Sequence, residues 1–206
     1  MKRILITGFE PFGGEAINPS YEAIKKMDTH HLLCDIHMLE LPVAFYDSSR
    51  IIIDKIHDLK PDVVVMVGQA GGRKEISIER VAINIDDSMT PDNKGVTPID
   101  DPISIFGPHA YFSTLPIKSL LTSLKKANIP CHISNSAGTY VCNHIFYSVM
   151  HELYQQKNKN VIAGFIHVPY ETNQVLNKPD LFSLDQRVIT QALEIIIQTI
   201  CENTTV

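Results

Sequence analysis

Long apolar runs, clustered cations and paired cysteines are all missing from this 206-residue chain. No apolar stretch approaches the roughly 18 residues of a membrane span. The short run Ile4-Leu5-Ile6 behind Met1-Lys2-Arg3 ends in Gly8-Phe9-Glu10-Pro11, too soon for a secretory leader, and a cytoplasmic protein with no membrane partner is expected. The net charge is −5, and Lys and Arg form no basic run. A nucleic-acid surface, which gathers cations on one face, is therefore not expected, and a small or neutral partner fits better. Cys34, Cys131, Cys142 and Cys201 lie far apart with no CxxC, and the nine histidines form no HExxH or other zinc-ligand spacing. These absences argue against a structural metal or cofactor cluster. A chain of this size needs no disulfide staple, so reduced thiols are expected. Repeats, low-complexity tracts and linkers are also absent, which makes residues 1–206 one domain.

What is present is an alternation of β-branched runs and helical patterns. Strands are expected over residues 3–7, 62–67, 131–134 and 161–168, and helices from Pro19 and over 48–59, 117–127, 139–155 and 184–201. Asn18-Pro19-Ser20 supplies an amide N-cap and a proline at the first helical position. The order specifies an α/β protein, a three-layer α/β/α sandwich around a mostly parallel sheet. Residues 76–85 alternate like a pair of strands, and 86–115, rich in Pro, Asp and Gly, read as a long surface loop or subdomain.

Ligand sites in open α/β sheets lie off the carboxyl ends of the strands. Three stretches are expected to meet there: Gly68-Gln69-Ala70-Gly71-Gly72, the segment leading to Cys142, and Phe165-Ile166-His167-Val168-Pro169-Tyr170. Val141, Cys142, Ile145, Phe146, Val149, Met150 and Leu153 form one apolar helix face. With Thr139 as N-cap, Cys142 would be the third helical residue. A thiol in a first turn faces unpaired N–H groups and the positive end of the helix dipole, which lower its pKa and can hold an oxyanion. A cysteine on an apolar face is equally a small core residue. His167 is a base candidate or a core histidine satisfied by a carbonyl. His144 and His151 sit on the cysteine's own helix, and His144, two residues on, does not share its face.

The alternation changes phase at Glu79-Arg80. If Val81, Ile83 and Ile85 are buried, Glu79 shares their face and Arg80 points away, so a buried carboxylate needs another partner, such as an imidazole. A solvent-facing Glu at a bulge is the alternative. Gly8 to Glu15 mimics a phosphate loop but carries Glu15 where a hydroxyl residue should stand. Phe9 and Phe12 there suggest either aromatic walls for a planar ligand or a plug under the loop.

Two long stretches, Gly68 to Asn84 and Ile133 to Asn143, together with Thr7 to Gly14, Asn18-Pro19-Ser20 and Gly164 to Tyr170, resemble the type I pyroglutamyl peptidases, also called pyrrolidone-carboxylate peptidases, over essentially the whole chain. The resemblance implies a phosphorylase/hydrolase-like sandwich, no cofactor, no metal, and a homotetramer that acts on N-terminally pyroglutamylated peptides. It makes Cys142 the nucleophile, His167 the base and then acid, and Glu79 the residue that orients His167. Phe9 and Phe12 would sandwich the lactam ring, with Asn18, Gln69 and Val141 as neighbours. Where the family reads Asp-Asp-Ala-Arg-Ile-Pro-Asp-Asn, residues 86–93 place Met89 at the arginine. That departure leaves a weakly active or non-catalytic pyroglutamyl-binding homologue as the alternative.

Overall fold

The computed structural model describes residues 1–157, 160–178 and 180–203. A six-stranded sheet forms the middle layer. Its strands are β1 (Lys2–Phe9), β2 (Cys34–Leu41), β3 (Val63–Gln69), β4 (Ile76–Glu79), β7 (Cys131–Ser134) and β8 (Ile162–Val168), in the order β2-β1-β3-β8-β4-β7. β1, β2, β3 and β8 run parallel, whereas β4 is antiparallel to β8 and parallel to β7. β5 (Val81–Ile83) leaves this sheet and pairs antiparallel with β6 (Ala110–Phe112). The expected loop over residues 86–115 thus contains a strand, and its first half is pinned by a bridge between Asp86 and Asp101. The expected strands and helices recur within a few residues, but β2 has no counterpart among them. Its alternation is blurred because it is an edge strand, with only its two ends buried.

Two cores follow from the period of two along the strands. Ile4, Ile6, Val63, Val65, Val67, Ile76, Ile78, Ile166 and Val168 point to one side, under α1 (Pro19–Lys25), α3 (Ile117–Lys126) and α5 (Gln186–Asn203). Leu5, Val64, Met66, Ala163 and Phe165 point to the other, under α2 (Asp47–Leu59) and α4 (Val141–Gln155). Burial on both faces explains the near-continuous apolar reading of β3 and β8.

The expectation of reduced cysteines needs correction. Cys34 and Cys201 form a disulfide with Cα atoms 6.5 Å apart, across a sequence separation of 167. The end of α5 is brought against the amino ends of β1 and β2, where Lys2 Nζ also donates to the carbonyls of Ile200 and Cys201. Only tertiary packing makes these two cysteines neighbours, so spacing held no sign of it. Cys131 and Cys142 remain free thiols.

Candidate active site

Pleat parity decides which polar side chains face α4. Gly68 shares the phase of Val64 and Met66, His167 that of Ala163 and Phe165, and Ser77 and Glu79 the phase opposite Ile76 and Ile78. All of these therefore lie beneath the same helix. Gly68 is in register with His167, and His167 with Ser77. Glu79 is then the diagonal neighbour of His167 across the antiparallel pair, a distance long side chains can span. Its Oε1 lies 2.8 Å from His167 Nδ1, and both residues are buried. A carboxylate on Nδ1 fixes the tautomer with the proton there and leaves the Nε2 lone pair as the basic end.

The expected phase argument for Glu79 held only in its outcome. β5 buries Ala82, whereas Val81 and Ile83 are half-buried and Ile85 is exposed. Glu79 is buried because β4 lies between β8 and β7 and because Arg73 and His167 close over its carboxylate, not because it continues a buried phase in β5. Arg80 does turn away, donating to Asn135 Oδ1 at 2.7 Å. The cation beside Glu79 is Arg73, from the loop after β3: its Nη1 donates to the same Oε1 at 2.6 Å and its Nη2 to the Ser136 carbonyl at 2.9 Å. Glu79 had raised the question of a partner, but a side chain reaching over from a loop leaves no periodic signal.

Cys142 reaches the site by an unexpected path. Because β7 runs opposite to β8, its carboxyl end does not point to the same edge as those of β3 and β8, and residues 135–140 must carry the chain back to the start of α4. The helix begins at Val141 with Tyr140 as N-cap, so Cys142 is the second helical residue, not the third. Thr139 Oγ1 donates to the Asp87 carbonyl instead of capping. The first intrahelical bond is His144 N–H to the Tyr140 carbonyl at 3.0 Å, which leaves the amides of Val141, Cys142 and Asn143 as the first-turn donors. The sulfur sits on Gly68: a Cβ there would lie 2.8 Å from Cys142 Sγ and 2.8 Å from Phe165 Cζ.

Burial is the largest influence on the thiol's acidity. Burial and then the negative charge of Glu79 push Cys142 up to about 12, opposed by Arg73, so the expectation of a lowered pKa is corrected. Burial also lowers His167 below the ordinary histidine value, against the hydrogen bond and charge of Glu79 and with the help of Arg73. Burial alone would raise Glu79, but the His167 hydrogen bond and charge, together with Arg73, bring it below the usual glutamate value. The resting set is a neutral thiol, a neutral imidazole and a carboxylate.

Beside Cys142 lies a cavity of about 30 Å³ lined by Phe9, Phe12, Asn18, Val43, Gln69, Tyr140 and Val141. All five residues expected around a planar ligand meet here, joined by Val43 and Tyr140, which the sequence reading missed. Tyr140 packs edge-on against Phe45 at 5.4 Å between ring centres and lies 6.3 Å from Phe12. Asn18 is largely committed to the scaffold: its Oδ1 accepts from the Ser20 amide and hydroxyl, and its Nδ2 donates to the Glu10 carbonyl. Gln69 Oε1 accepts from Gln174 at 3.0 Å, leaving the NH₂ of Gln69 as its donor end. Asp92 holds the opposite wall by accepting from the Phe45 amide at 2.8 Å. Met89 is fully exposed. The other helix histidines are spoken for, His144 by Asp86 at 2.6 Å and His151 by Tyr111 at 2.8 Å. Among the described residues no group of histidine, cysteine and acidic side chains could hold a metal, and no helix is long and apolar enough to cross a membrane.

The layers and the strand-end cluster define an open-sheet α/β protein with a free thiol seated on Gly68, the register neighbour of a carboxylate-bound imidazole. The family model described as pyroglutamyl peptidase matches residues 2–203. Pyrrolidone-carboxylate peptidase 1 of Caldanaerobacter subterraneus is 50% identical over 199 residues, covering 96% of this chain and 97% of that protein. The crystal structure of Bacillus amyloliquefaciens pyroglutamyl peptidase I superposes with a TM-score of 0.93 at 42% identity, covering 98% of this chain and 97% of that one. A mutant pyrrolidone carboxyl peptidase from Pyrococcus furiosus gives 0.92 at 38% identity, with 98% and 99% covered. The chain belongs to the pyroglutamyl peptidase family, and it is an enzyme of that cysteine peptidase class. A non-catalytic reading based on Met89 gains no support from these relatives.

Proposed function

We propose that Cys142, His167 and Glu79 carry out removal of an N-terminal pyroglutamyl residue from peptides, through a thioester acyl-enzyme. The observation that carries the assignment is the buried Glu79–His167 contact at 2.8 Å beneath a free thiol seated on Gly68. His167 Nε2 takes the proton of Cys142 as the sulfur attacks the pyroglutamyl carbonyl. A concerted transfer suits a thiol and imidazole that are both neutral at rest, because no preformed ion pair has to be buried. The first-turn amides of α4 are the donors for the oxyanion. The carbon–nitrogen bond then breaks, Nε2–H protonates the leaving amine, and water, deprotonated by the same nitrogen, releases pyroglutamate and frees the thiol.

The pocket fits a flat, uncharged ring. Phe9 and Phe12 with Tyr140 and Val141 provide apolar walls, Gln69 a donor for the lactam carbonyl, and Asn18 one remaining amide hydrogen. The absence of a carboxylate among the lining residues suits a terminus without an ammonium and disfavours ordinary charged ones, whose desolvation is costly. A cavity of about 30 Å³ holds about one water, so ring entry requires displacement of a wall. Phe12, followed by Gly13 and Gly14 at φ 63° and 80°, is the wall best placed to move.

A cytoplasmic homotetramer is part of the same proposal, supported by the resemblance alone. Reducing conditions there would open the Cys34–Cys201 link, a change confined to the amino ends of β1 and β2, remote from the site. Hydrolysis of a pyroglutamyl-amide reporter by the wild-type protein and by Cys142→Ser tests the activity. Turnover by the wild type alone is expected; equal hydrolysis by both, or none by either, overturns it.

A further inference from the structure

We propose that Arg73 is a positioning residue of this site: its guanidinium shares Glu79 with His167 and ties that carboxylate to the segment that delivers Cys142. The inference rests on the Cys142–His167–Glu79 reading and adds a member to it that acts only through the others.

The geometry is a fork with two different targets. Nη1 donates to Glu79 Oε1 at 2.6 Å, the same oxygen that His167 Nδ1 approaches at 2.8 Å, and Nη2 donates to the Ser136 carbonyl at 2.9 Å. Glu79 belongs to β4 and Ser136 to the 135–140 segment, which turns back from β7 to the first turn of α4. One rigid planar group therefore sets the distance between the orienting acid and the nucleophile's loop. A lysine could satisfy one target but not hold both in a plane. Arg73 is itself three-quarters shielded, so its charge acts in a medium of reduced dielectric.

Sharing one oxygen has an electrostatic consequence. A carboxylate devoted wholly to an imidazole stabilises the imidazolium and strengthens the base. A carboxylate half-neutralised by a guanidinium orients the ring while stabilising its cation less. The titratable and charged groups acting on His167 are Glu79 from β4 and Arg73 from the loop after β3, and the thiol of Cys142 from α4 lies in the field of the same two charges. Arg73 opposes Glu79 at both. It makes the thiol more easily ionised, which promotes proton transfer to Nε2, and it destabilises the imidazolium, which keeps the ring free to accept that proton at rest and ready to pass it on to the leaving amine. Met89, where the family resemblance places an arginine, points into solvent and brings no charge to this set.

Three variants test the proposal: Arg73→Gln, Arg73→Lys and Arg73→Ala with added methylguanidinium, read by the pH profile of kcat/KM and by the pH dependence of Cys142 alkylation with iodoacetamide. Arg73→Gln should lower kcat by about 10- to 100-fold, as for supporting contacts around other reactive centres, and leave KM within about threefold. Its acidic limb should move up by about one pH unit, because His167 then holds its proton more tightly. Arg73→Lys should restore the limb but not kcat, and methylguanidinium should partly rescue Arg73→Ala. A wild-type limb and kcat in Arg73→Gln, or a loss confined to KM or thermal stability, overturns the proposal. His167→Ala separates the two layers: if it retains turnover, the catalytic reading itself has failed, whereas its inactivity alongside a normal Arg73→Gln removes only Arg73.

Discussion

Two buried histidine–carboxylate pairs lie close to α4, in different surroundings. Glu79 meets His167 Nδ1 at 2.8 Å, and Asp86 meets His144 Nδ1 at 2.6 Å. The second pair even extends to a hydroxyl, with Ser49 Oγ 3.0 Å from His144 Nε2, so by distances alone it imitates a serine triad. Its Nε2, however, also accepts the Tyr46 N–H at 3.3 Å, and Ser49 Oγ lies 2.9 Å from the Tyr46 carbonyl. Every reactive atom there is used to hold the turn at Tyr46, whose φ is 62°, against α4. At His167, Glu79 holds Nδ1, and Nε2 is the proposed partner of the Cys142 thiol, which is seated on the register neighbour Gly68. A histidine–carboxylate contact is therefore a structural device or a chemical one according to what occupies the second nitrogen.

Mutations can break this contrast. Cys142→Ala or His167→Ala should reduce kcat/KM by at least about 10³-fold, measured with a pyroglutamyl-amide reporter, and Cys142→Ala should leave the unfolding midpoint nearly unchanged. Glu79→Gln should cost about 10- to 100-fold and move the acidic limb down, because the His167 imidazolium loses its stabilising carboxylate. That is opposite in sign to the shift expected for Arg73→Gln, so the two profiles together report whether one oxygen serves both. Asp86→Asn, in the other pair, should lower stability by about 1–3 kcal/mol in urea titration while leaving the limb where it was; a limb that moved would give His144 a chemical role.

The pH dependence of stability sharpens the same point. His167 is held below its ordinary value, so the unfolded chain takes up that proton first. Stability is complete above roughly pH 6.5 and declines as pH falls below it. Glu79, also lowered, adds a further loss below roughly pH 4.5 as the unfolded carboxyl protonates first. His167→Gln should flatten the slope just below neutrality, and an unchanged slope would show that other groups set it. The smallest effect on activity belongs to the far end of the sheet. Cys34→Ser should leave kcat/KM unaltered while lowering stability by up to about 2–4 kcal/mol, read by thermal unfolding.

How much of this was legible in the sequence depended on whether the signal was local. β3, β8 and α4 declared themselves because burial imposes a period. His167 and Gln69 were placed by the rule that sites gather at strand ends. Phe9 and Phe12 were placed by adjacency to β1. The rule misled for β7, since a short strand of reversed direction looks the same in sequence as a parallel one. β2 was missed because its run of half-buried residues from Asp35 to His37, followed by exposed ones such as Glu40, blurs alternation. The thiol's acidity was misjudged in sign because the helix dipole can be inferred from position, whereas desolvation depends on Gly68 and Phe165 closing over the sulfur. Arg73, Val43 and Tyr140 join the site only through tertiary placement, as do the two cysteines of the disulfide.

Gly68 has a consequence for how the chain can change over evolutionary time. The seat of the nucleophile is shaped by a missing carbon, since any side chain at residue 68 would meet Cys142 Sγ and Phe165 Cζ at 2.8 Å. Glycine at 68 and sulfur at 142 are thus sterically coupled. Replacing the sulfur with a smaller oxygen loosens the seat, and replacing the glycine expels the sulfur, so drift from a thiol to a hydroxyl nucleophile in this fold would have to cross both changes together.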